Sequence, residues 1–396
     1  ITADSGLTVG TASDTETVID SHGGALTLDA GTSDLTIYAP IVSNGGAIVL
    51  YADDDLILNT AVEITGESGS TASVVLTADH DGDGTGALTM IDGSLINAVG
   101  GDVSLNAAGD ITVSEISTTG DVTFNSSAGS ILDAGTLGNP DVQADVLQVV
   151  AAGSIGTASD GLETSVSQLI AGSGSTVTLN NDAGLILGAV STQGDAAISA
   201  PSMSTTGALT TSGGSIDLNV AGDLTISSPL STAGGDFAAT ANNNVDFAAT
   251  GSVATAGGNA LVKADADEDH NGSGGALTMA DGSSVASGVG TITLTADGNI
   301  LLSRLVTTNN TAEAISILSN SGSLLDSGDT LGVDLEASNS ASVVTLTTAT
   351  GIGSTANPIE TQVTNLIATV TALGDFAIAE SDALQLWDIE TSDGAI

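Results

Sequence analysis

The sequence predicts an all-β fold, a parallel β-solenoid with coils of about twenty residues. Three observations predict it. One short strand pattern recurs throughout the chain, no segment shows a helical period of useful length, and aromatic residues make up only 2%. A β-sandwich is the alternative, but sandwiches usually bury several aromatic side chains and do not repeat one strand-turn unit along a whole chain.

The recurring unit is a Gly-Gly or Gly-Asp pair followed by apolar residues that alternate with polar ones. Examples are GGALTLDA from Gly23, GGAIVLYA from Gly45, GGDVSLNA from Gly100 and GGSIDLNV from Gly213. Alternation with period two predicts strands with one apolar face, and glycine suits a turn that needs positive φ. The nearest helix candidates, 142–152 and 360–371, are short and contain β-branched residues, which favour strands.

A longer repeat divides the chain into two homologous superunits, 1–190 and 191–396. GSILDAGTLG from Gly129 corresponds to GSLLDSGDTLG from Gly322, and GSIGTASDGLETSVSQLIA from Gly153 corresponds to GIGSTANPIETQVTNLIA from Gly351. We expect the superunits to form one continuous rod without a linker. The sequence starts and stops within the pattern, so we expect it to be a window of a longer tandem array.

Composition excludes several classes of function. With 48 Asp and Glu against 2 Lys and Arg, the formal charge is −46, so the chain cannot neutralise the phosphates of nucleic acid or bind an anionic membrane surface. The absence of cysteine excludes disulfides, thiolate metal sites and cysteine nucleophiles. No apolar run approaches 18 residues, so we expect no membrane insertion. A hydrophobic content of 41% argues against disorder.

The strand repeats of the form Gly-Asp-[Val/Ile/Leu]-x-[Leu/Ile/Phe] resemble those of filamentous-haemagglutinin-like exoproteins and other giant bacterial surface adhesins. Residues Gly153–Ala171 and Gly351–Ala368 also resemble an element that recurs in such exoproteins. The resemblance covers most of the chain. It implies a right-handed parallel β-helix, export from a bacterium, and an extracellular role at the cell surface.

Two acidic loops predict a metal site. DHDGDG at 79–84 and DEDHNG at 267–272 place oxygen ligands at the first, third and fifth positions and glycine at the sixth, as in the first half of an EF-hand calcium loop. The predicted Ca²⁺ ligands are Asp79, Asp81, Asp83, Asp267, Asp269 and Asn271, with Asp92 or Asp281 as a late ligand. The twelfth position, a glutamate in EF-hands, is Met90 or Thr278 here. A solvated acidic loop between coils is therefore the alternative.

The residues do not support catalysis. Polysaccharide lyases, which use a similar scaffold, need Arg or Lys to stabilise an anionic sugar, and this chain has only Lys263 and Arg304. The histidines form no triad pattern, because His80 and His270 lie in the acidic loops and His22 precedes a Gly-Gly turn.

We therefore expect a non-enzymatic structural segment of a giant secreted surface protein, which forms a stiff extracellular rod or filament. Its partners would be neighbouring copies or repeats of the same protein. The alternative is an adhesin repeat region that binds cell-surface glycans, receptors or neighbouring cells. Ca²⁺ is the one cofactor that the sequence suggests, and it could stiffen either kind of protein.

Overall fold

The computed structural model describes residues 1–13, 16, 19–64, 71–135, 140–268, 275–328, 330 and 332–392. The predicted fold class is confirmed. The described residues contain no helix, and their parallel sheets stack as a β-solenoid of about 16 turns with roughly 22 residues per coil. The chain divides into two compact units, one of residues 1–185 and 190–193 and the other of residues 186–189 and 194–396.

The first unit consists of short strands joined by turns. Its strands are β1 (Leu7–Val9), β2 (Ile19–Asp20), β3 (Leu26–Asp29), β4 (Leu35–Ile37), β5 (Ile41–Ser43), β6 (Ile48–Tyr51), β7 (Leu56–Leu58), β8 (Ala61–Ile64), β9 (Val74–Thr77), β10 (Leu88–Met90), β11 (Leu95–Val99), β12 (Val103–Ala107), β13 (Ile111–Val113), β14 (Glu115–Thr118), β15 (Val122–Ser126), β16 (Ile131–Asp133), β17 (Val142–Ala151), β18 (Leu162–Ser173) and β19 (Val177–Asn181). Strand β20 (Leu185–Thr192) has residues in both units.

The second unit has the same construction. Its strands are β21 (Ala196–Ala200), β22 (Met203–Thr205), β23 (Leu209–Thr211), β24 (Ile216–Val220), β25 (Leu224–Ile226), β26 (Pro229–Ser231), β27 (Phe237–Ala241), β28 (Val245–Phe247), β29 (Ser252–Ala254), β30 (Ala260–Ala264), β31 (Leu277–Met279), β32 (Ser284–Gly288), β33 (Ile292–Ala296), β34 (Ile300–Leu302), β35 (Arg304–Thr307), β36 (Ile315–Ser319), β37 (Leu324–Asp326), β38 (Leu335–Ala337), β39 (Val343–Thr348), β40 (Ile359–Val363), β41 (Asn365–Val370), β42 (Ile378–Glu380) and β43 (Gln385–Thr391).

The core of each unit is built from columns of apolar side chains. In the first unit, strands β4, β7, β10, β13 and β16 pair in parallel and place Leu35, Leu56, Leu88, Ile111 and Ile131 in one column. All five side chains have no solvent exposure. Residues two apart on a strand share a face, so the alternation seen in the sequence puts one face of every strand into such a column.

Aromatic rings enter the core singly in the second unit. Phe237 lies between Ile216 and Ala260, its partners on the strands of the neighbouring coils. The ring is only 1% exposed. A small partner on one side leaves room for the ring, because interiors are packed to nearly constant density.

The Gly-Asp motif has a structural explanation at the coil corners. In the first unit, Asp102 Oδ1 accepts a hydrogen bond of 3.0 Å from the backbone N–H of Asp121 in the next coil. In the second unit, Asp236 Oδ1 accepts one of 2.7 Å from Asn259, whose own Oδ1 accepts one of 3.0 Å from Thr291. Each such side chain satisfies a backbone donor that the strand ladder leaves over at the turn. Many of the acidic residues therefore have a structural role at the corners of the coils.

Buried hydroxyl groups complete the corners from the inside. Ser126 Oγ donates to the carbonyl oxygen of Gly109 at 2.7 Å in the first unit. Ser287 Oγ donates to the carbonyl oxygen of Gly290 at the same distance in the second. These serine residues are fully buried. A hydroxyl at this position removes the cost of burying an unpaired carbonyl.

Two segments with weak helical features form strands. Residues 142–152 contain β17, and residues 360–371 contain most of β40 and all of β41. Pairing with the neighbouring coil decides this outcome, since β17 and β18 alone match nine residue pairs in parallel register.

Coil length varies where the acidic loops occur. Asp55 Oδ1 accepts the backbone N–H of Ala87, 32 residues later, and Asn244 Oδ1 accepts that of Ala276, also 32 residues later. The strand register continues across these longer coils, since Leu56 pairs with Leu88 and Val245 pairs with Leu277.

We predict that Leu50→Ala lowers the free energy of unfolding by about 2–5 kcal/mol, because the substitution opens a cavity in a core column. Leu50 is fully buried between Leu28 and Leu76. The control is Val49→Ala on the outer face of the same strand, for which we expect a loss of about 1 kcal/mol or less. Urea unfolding measures both variants, and equal losses would contradict the assignment of the two faces.

Candidate functional site

The acidic loop at 79–84 brings three predicted ligands together. One carboxylate oxygen from each of Asp79, Asp81 and Asp83 lies within 4.8 Å of the others. The backbone N–H of Gly84 donates to Asp79 Oδ1 at 2.9 Å, and that of Thr85 donates to Asp83 Oδ1 at 2.9 Å. The EF-hand spacing thus correctly predicts the convergence of these oxygens. Ca²⁺ binding by them stays a prediction.

The loop turns sharply because three of its residues have positive φ. The values are 59° for Asp79, 72° for Gly82 and 90° for Gly84. The Thr85 hydroxyl donates to Asp83 Oδ1 at 2.7 Å, and this bond, followed by the Thr85 N–H bond, lowers the pKa of Asp83. Asp83 therefore carries its charge under all but strongly acidic conditions, as a metal ligand must.

The second acidic loop lies largely outside the described residues. Asp267 is exposed, whereas Asp269 and Asn271 fall in the range 269–274 that the structure does not describe. The proposed late ligand Asp281 accepts hydrogen bonds from the backbone N–H of Thr330 at 3.0 Å and from its hydroxyl. Asp92, the late ligand of the first loop, is exposed.

Two further carboxylate clusters were not anticipated from the sequence. In the first unit, Asp133 at the end of β16, Asp141 just before β17 and Glu163 in β18 place one oxygen each within 4.8 Å of the others. We call this cluster the first carboxylate triad. Asp141 is only 6% exposed, and its Oδ2 accepts the backbone N–H of Glu163 at 2.9 Å. Asp133 Oδ1 accepts that of Gly135 at 2.6 Å.

The second unit contains the same arrangement, the second carboxylate triad. Asp326 at the end of β37, Asp334 just before β38 and Glu360 in β40 again place one oxygen each within 4.8 Å. Asp334 Oδ2 accepts the backbone N–H of Glu360 at 3.0 Å, and Asp326 Oδ1 accepts that of Gly328 at 2.7 Å. The same hydrogen bonds thus orient the acids in both units.

The triads differ from the exposed acidic loop in their electrostatics. Burial, followed by the negative charge of Asp133, raises the pKa of Asp141 to about 9. Burial likewise raises the pKa of Asp334 to about 9, with the charge of Asp326 acting in the same sense. The pKa of Glu163 is also raised, first by burial and then by Asp133.

The triads could have been suspected from acids that occur at the same positions in the two sequence copies. Asp133 and Asp326 occupy the same place in GSILDAG and GSLLDSG, and Glu163 and Glu360 occupy the same place in LET and IET. Glycine-rich turns surround both pairs, and acids are common at such turns. Only the stacking of coils shows that these acids meet.

No protein-family model, curated protein or solved structure matches this chain. The parallel β-solenoid is compatible with repeat-rich β-helical proteins. None of the described segments forms a helix with the length and hydrophobicity that a bilayer span requires.

We predict that the acidic loop contributes to a Ca²⁺-dependent rise in melting temperature. Replacing Asp81 and Asp83 by Asn removes two of the charges that attract the ion, so the rise on adding CaCl₂ to EDTA-treated protein should be smaller than in the wild type. Differential scanning calorimetry measures the rise. If the variant and the wild type showed the same rise, the loop would not be a Ca²⁺ site but a solvated acidic loop.

We also predict that stability in EDTA depends on pH through the triads. The raised pKa of Asp334 means that the folded chain keeps a proton between about pH 4 and 9 that the unfolded chain has released. The free energy of unfolding should therefore be highest below this window and fall as the pH rises through it. Asp326 and Glu360 face Asp334, and their negative charges help to raise the pKa of Asp334.

The variant Asp334→Asn should show a smaller decline in melting temperature across this window, because its side chain carries no charge to desolvate. The matched control is Asp217→Asn, an exposed residue of β24 that changes the net charge equally. Melting curves that decline in parallel for the two variants would contradict the assignment.

Proposed function

We propose that this chain is a non-enzymatic structural segment of a giant secreted surface protein and that it forms a stiff extracellular rod or filament. The observation that carries the proposal is the repetition of the coil-to-coil contacts within each unit. Backbone ladders, apolar columns and corner hydrogen bonds recur from one coil to the next, so length can grow by adding coils without a new kind of contact.

The two basic residues support the proposal that the segment is not an enzyme. Lys263 Nζ lies 2.6 Å from a carboxylate oxygen of Glu268, and Arg304 Nη2 lies 2.7 Å from one of Glu336. A lyase would need such cations to stabilise the charge that develops on an acidic sugar. Here each of them is paired with a carboxylate of the chain itself.

Export to a bacterial cell surface is proposed from the resemblance to filamentous-haemagglutinin-like exoproteins. The parallel β-solenoid agrees with that resemblance at the level of architecture. The high negative charge agrees with a protein that neither binds nucleic acid nor adheres to anionic lipid. The proposed partners are neighbouring copies or repeats of the same protein.

An adhesin role is the second candidate, and one local irregularity favours it. In β43 the register with β41 passes from Leu366–Leu386 to Ile367–Asp388, so Trp387 is the additional residue of a β-bulge. Its side chain is 56% exposed, and the adjacent Leu386 is 58% exposed. Bulges redirect side chains, and exposed Trp beside an aliphatic residue suits contact with a sugar or another protein.

Electron microscopy of the full-length native protein distinguishes the two roles. For a structural filament we expect continuous fibres of uniform width whose axial repeat matches the superunit. Isolated thin rods that end in a distinct head would contradict the filament and assign the segment to a stalk. Rods that decorate glycan-coated beads, and lose this binding in Trp387→Ala, would favour the adhesin.

A further inference from the structure

The second carboxylate triad contains a buried oxygen that lacks a hydrogen-bond donor. Asp326 is only 7% exposed, and Asp334 beside it is 2% exposed. Asp326 Oδ1 accepts the N–H of Gly328, but Oδ2 has no hydrogen-bond partner within the described part of the chain. A buried carboxylate oxygen without a partner is strongly destabilising, so its retention at this position requires a compensating group.

No basic side chain in the described part of the chain supplies that group. The sequence contains only two Lys and Arg residues, and these pair with Glu268 and Glu336. Hydrogen bonds from the backbone reach one oxygen of Asp326 and one of Asp334. Within the described residues nothing else balances the remaining negative charge of the triad, so bound protons or a cation from solution would have to do so.

The geometry fits a cation with oxygen ligands. Ca²⁺ binds oxygen at about 2.3–2.6 Å, so two ligands on opposite sides of one ion lie about 5 Å apart. Three carboxylate oxygens, one from each acid, lie within 4.8 Å of one another. We propose that the two carboxylate triads are equivalent divalent-cation sites, each of which holds one Ca²⁺ ion with water completing the coordination.

The first triad is an independent instance of the same site. Asp133, Asp141 and Glu163 meet the same distance condition, and Glu163 Oε1 is buried without a hydrogen-bond partner among the described residues. The turns around the acids differ between the copies, since Ala134 corresponds to Ser327. The acids and their backbone donors are the same in both.

The bound ion would join neighbouring coils. Glu163 lies in β18, which pairs along its length with β17, and Asp141 immediately precedes β17. Asp133 is the last residue of β16, the strand that precedes Asp141 in the sequence. One ion bound to all three acids would therefore add a further connection between these segments, beside their backbone pairing and the Asp141–Glu163 hydrogen bond, and replace mutual repulsion by attraction.

Calorimetric titration of the full chain with CaCl₂ tests the proposal. We expect the wild type to bind two more ions per chain than the double variant Asp141→Asn, Asp334→Asn. The control Asp217→Asn, Asp246→Asn removes the same charge from outer positions of β24 and β28 and should bind as the wild type does. A parallel titration with MgCl₂ establishes which divalent ion the sites prefer.

Melting temperatures supply the second readout. In EDTA the triad variant should melt at or above the wild-type temperature, because Asn is buried without the proton that Asp141 and Asp334 must take up on folding, and this result also shows that it folds. Added CaCl₂ should raise the wild-type value more than that of the variant. Equal stoichiometry and an equal rise in both proteins would overturn the proposal and indicate that the triads hold protons. The conservative pair Glu163→Gln, Glu360→Gln must give the same result as the Asp variants.

Discussion

The register between parallel coils is the constraint on which the rest of the structure depends. The strands pair with strands one coil away, so a paired residue faces its counterpart in the next coil and equivalent positions form columns, which are interrupted only locally by bulges such as that at Trp387. Leu28, Leu50 and Leu76 illustrate an apolar column. A shift by one residue would turn every inward side chain outward, so the pattern of alternation specifies the stacking as strongly as the hydrogen bonds do.

This constraint also determines where charge can lie. Inward positions admit apolar side chains and hydroxyl groups that bond to a corner carbonyl, as Ser287 does. Acids gather at the corners, where a carboxylate such as that of Asp236 accepts a backbone N–H from the next coil. The carboxylate triads depart from this arrangement because their acids are buried together. Burial of several carboxylates side by side raises the pKa of Asp141 and Asp334, so electrostatics contributes to the energetics of stacking there.

Local pattern predicts most of the fold and one part of the candidate site. Period-two alternation predicts the strands, and the 1–3–5 spacing predicts the meeting of Asp79, Asp81 and Asp83, because all of that information lies within a few residues. The first carboxylate triad cannot be predicted from patterns within a few residues. Asp133 and Glu163 meet only after the chain has completed a coil, and the lengths of the intervening turns cannot be fixed without the structure. The bulge at Trp387 likewise depends on the pairing of β43 with β41, which the local sequence does not specify.

The 32-residue coils have a consequence for how such a protein can change. Leu56 and Leu88 stay in register although the coil between them contains the loop at 79–86, so the added length of that loop leaves this column undisturbed. Closing a longer loop costs little, about 0.6 kcal/mol for each doubling of its length. New sequence can therefore be inserted there, by evolution or by an engineer, and a recognition peptide placed in this loop would be displayed on an unchanged scaffold.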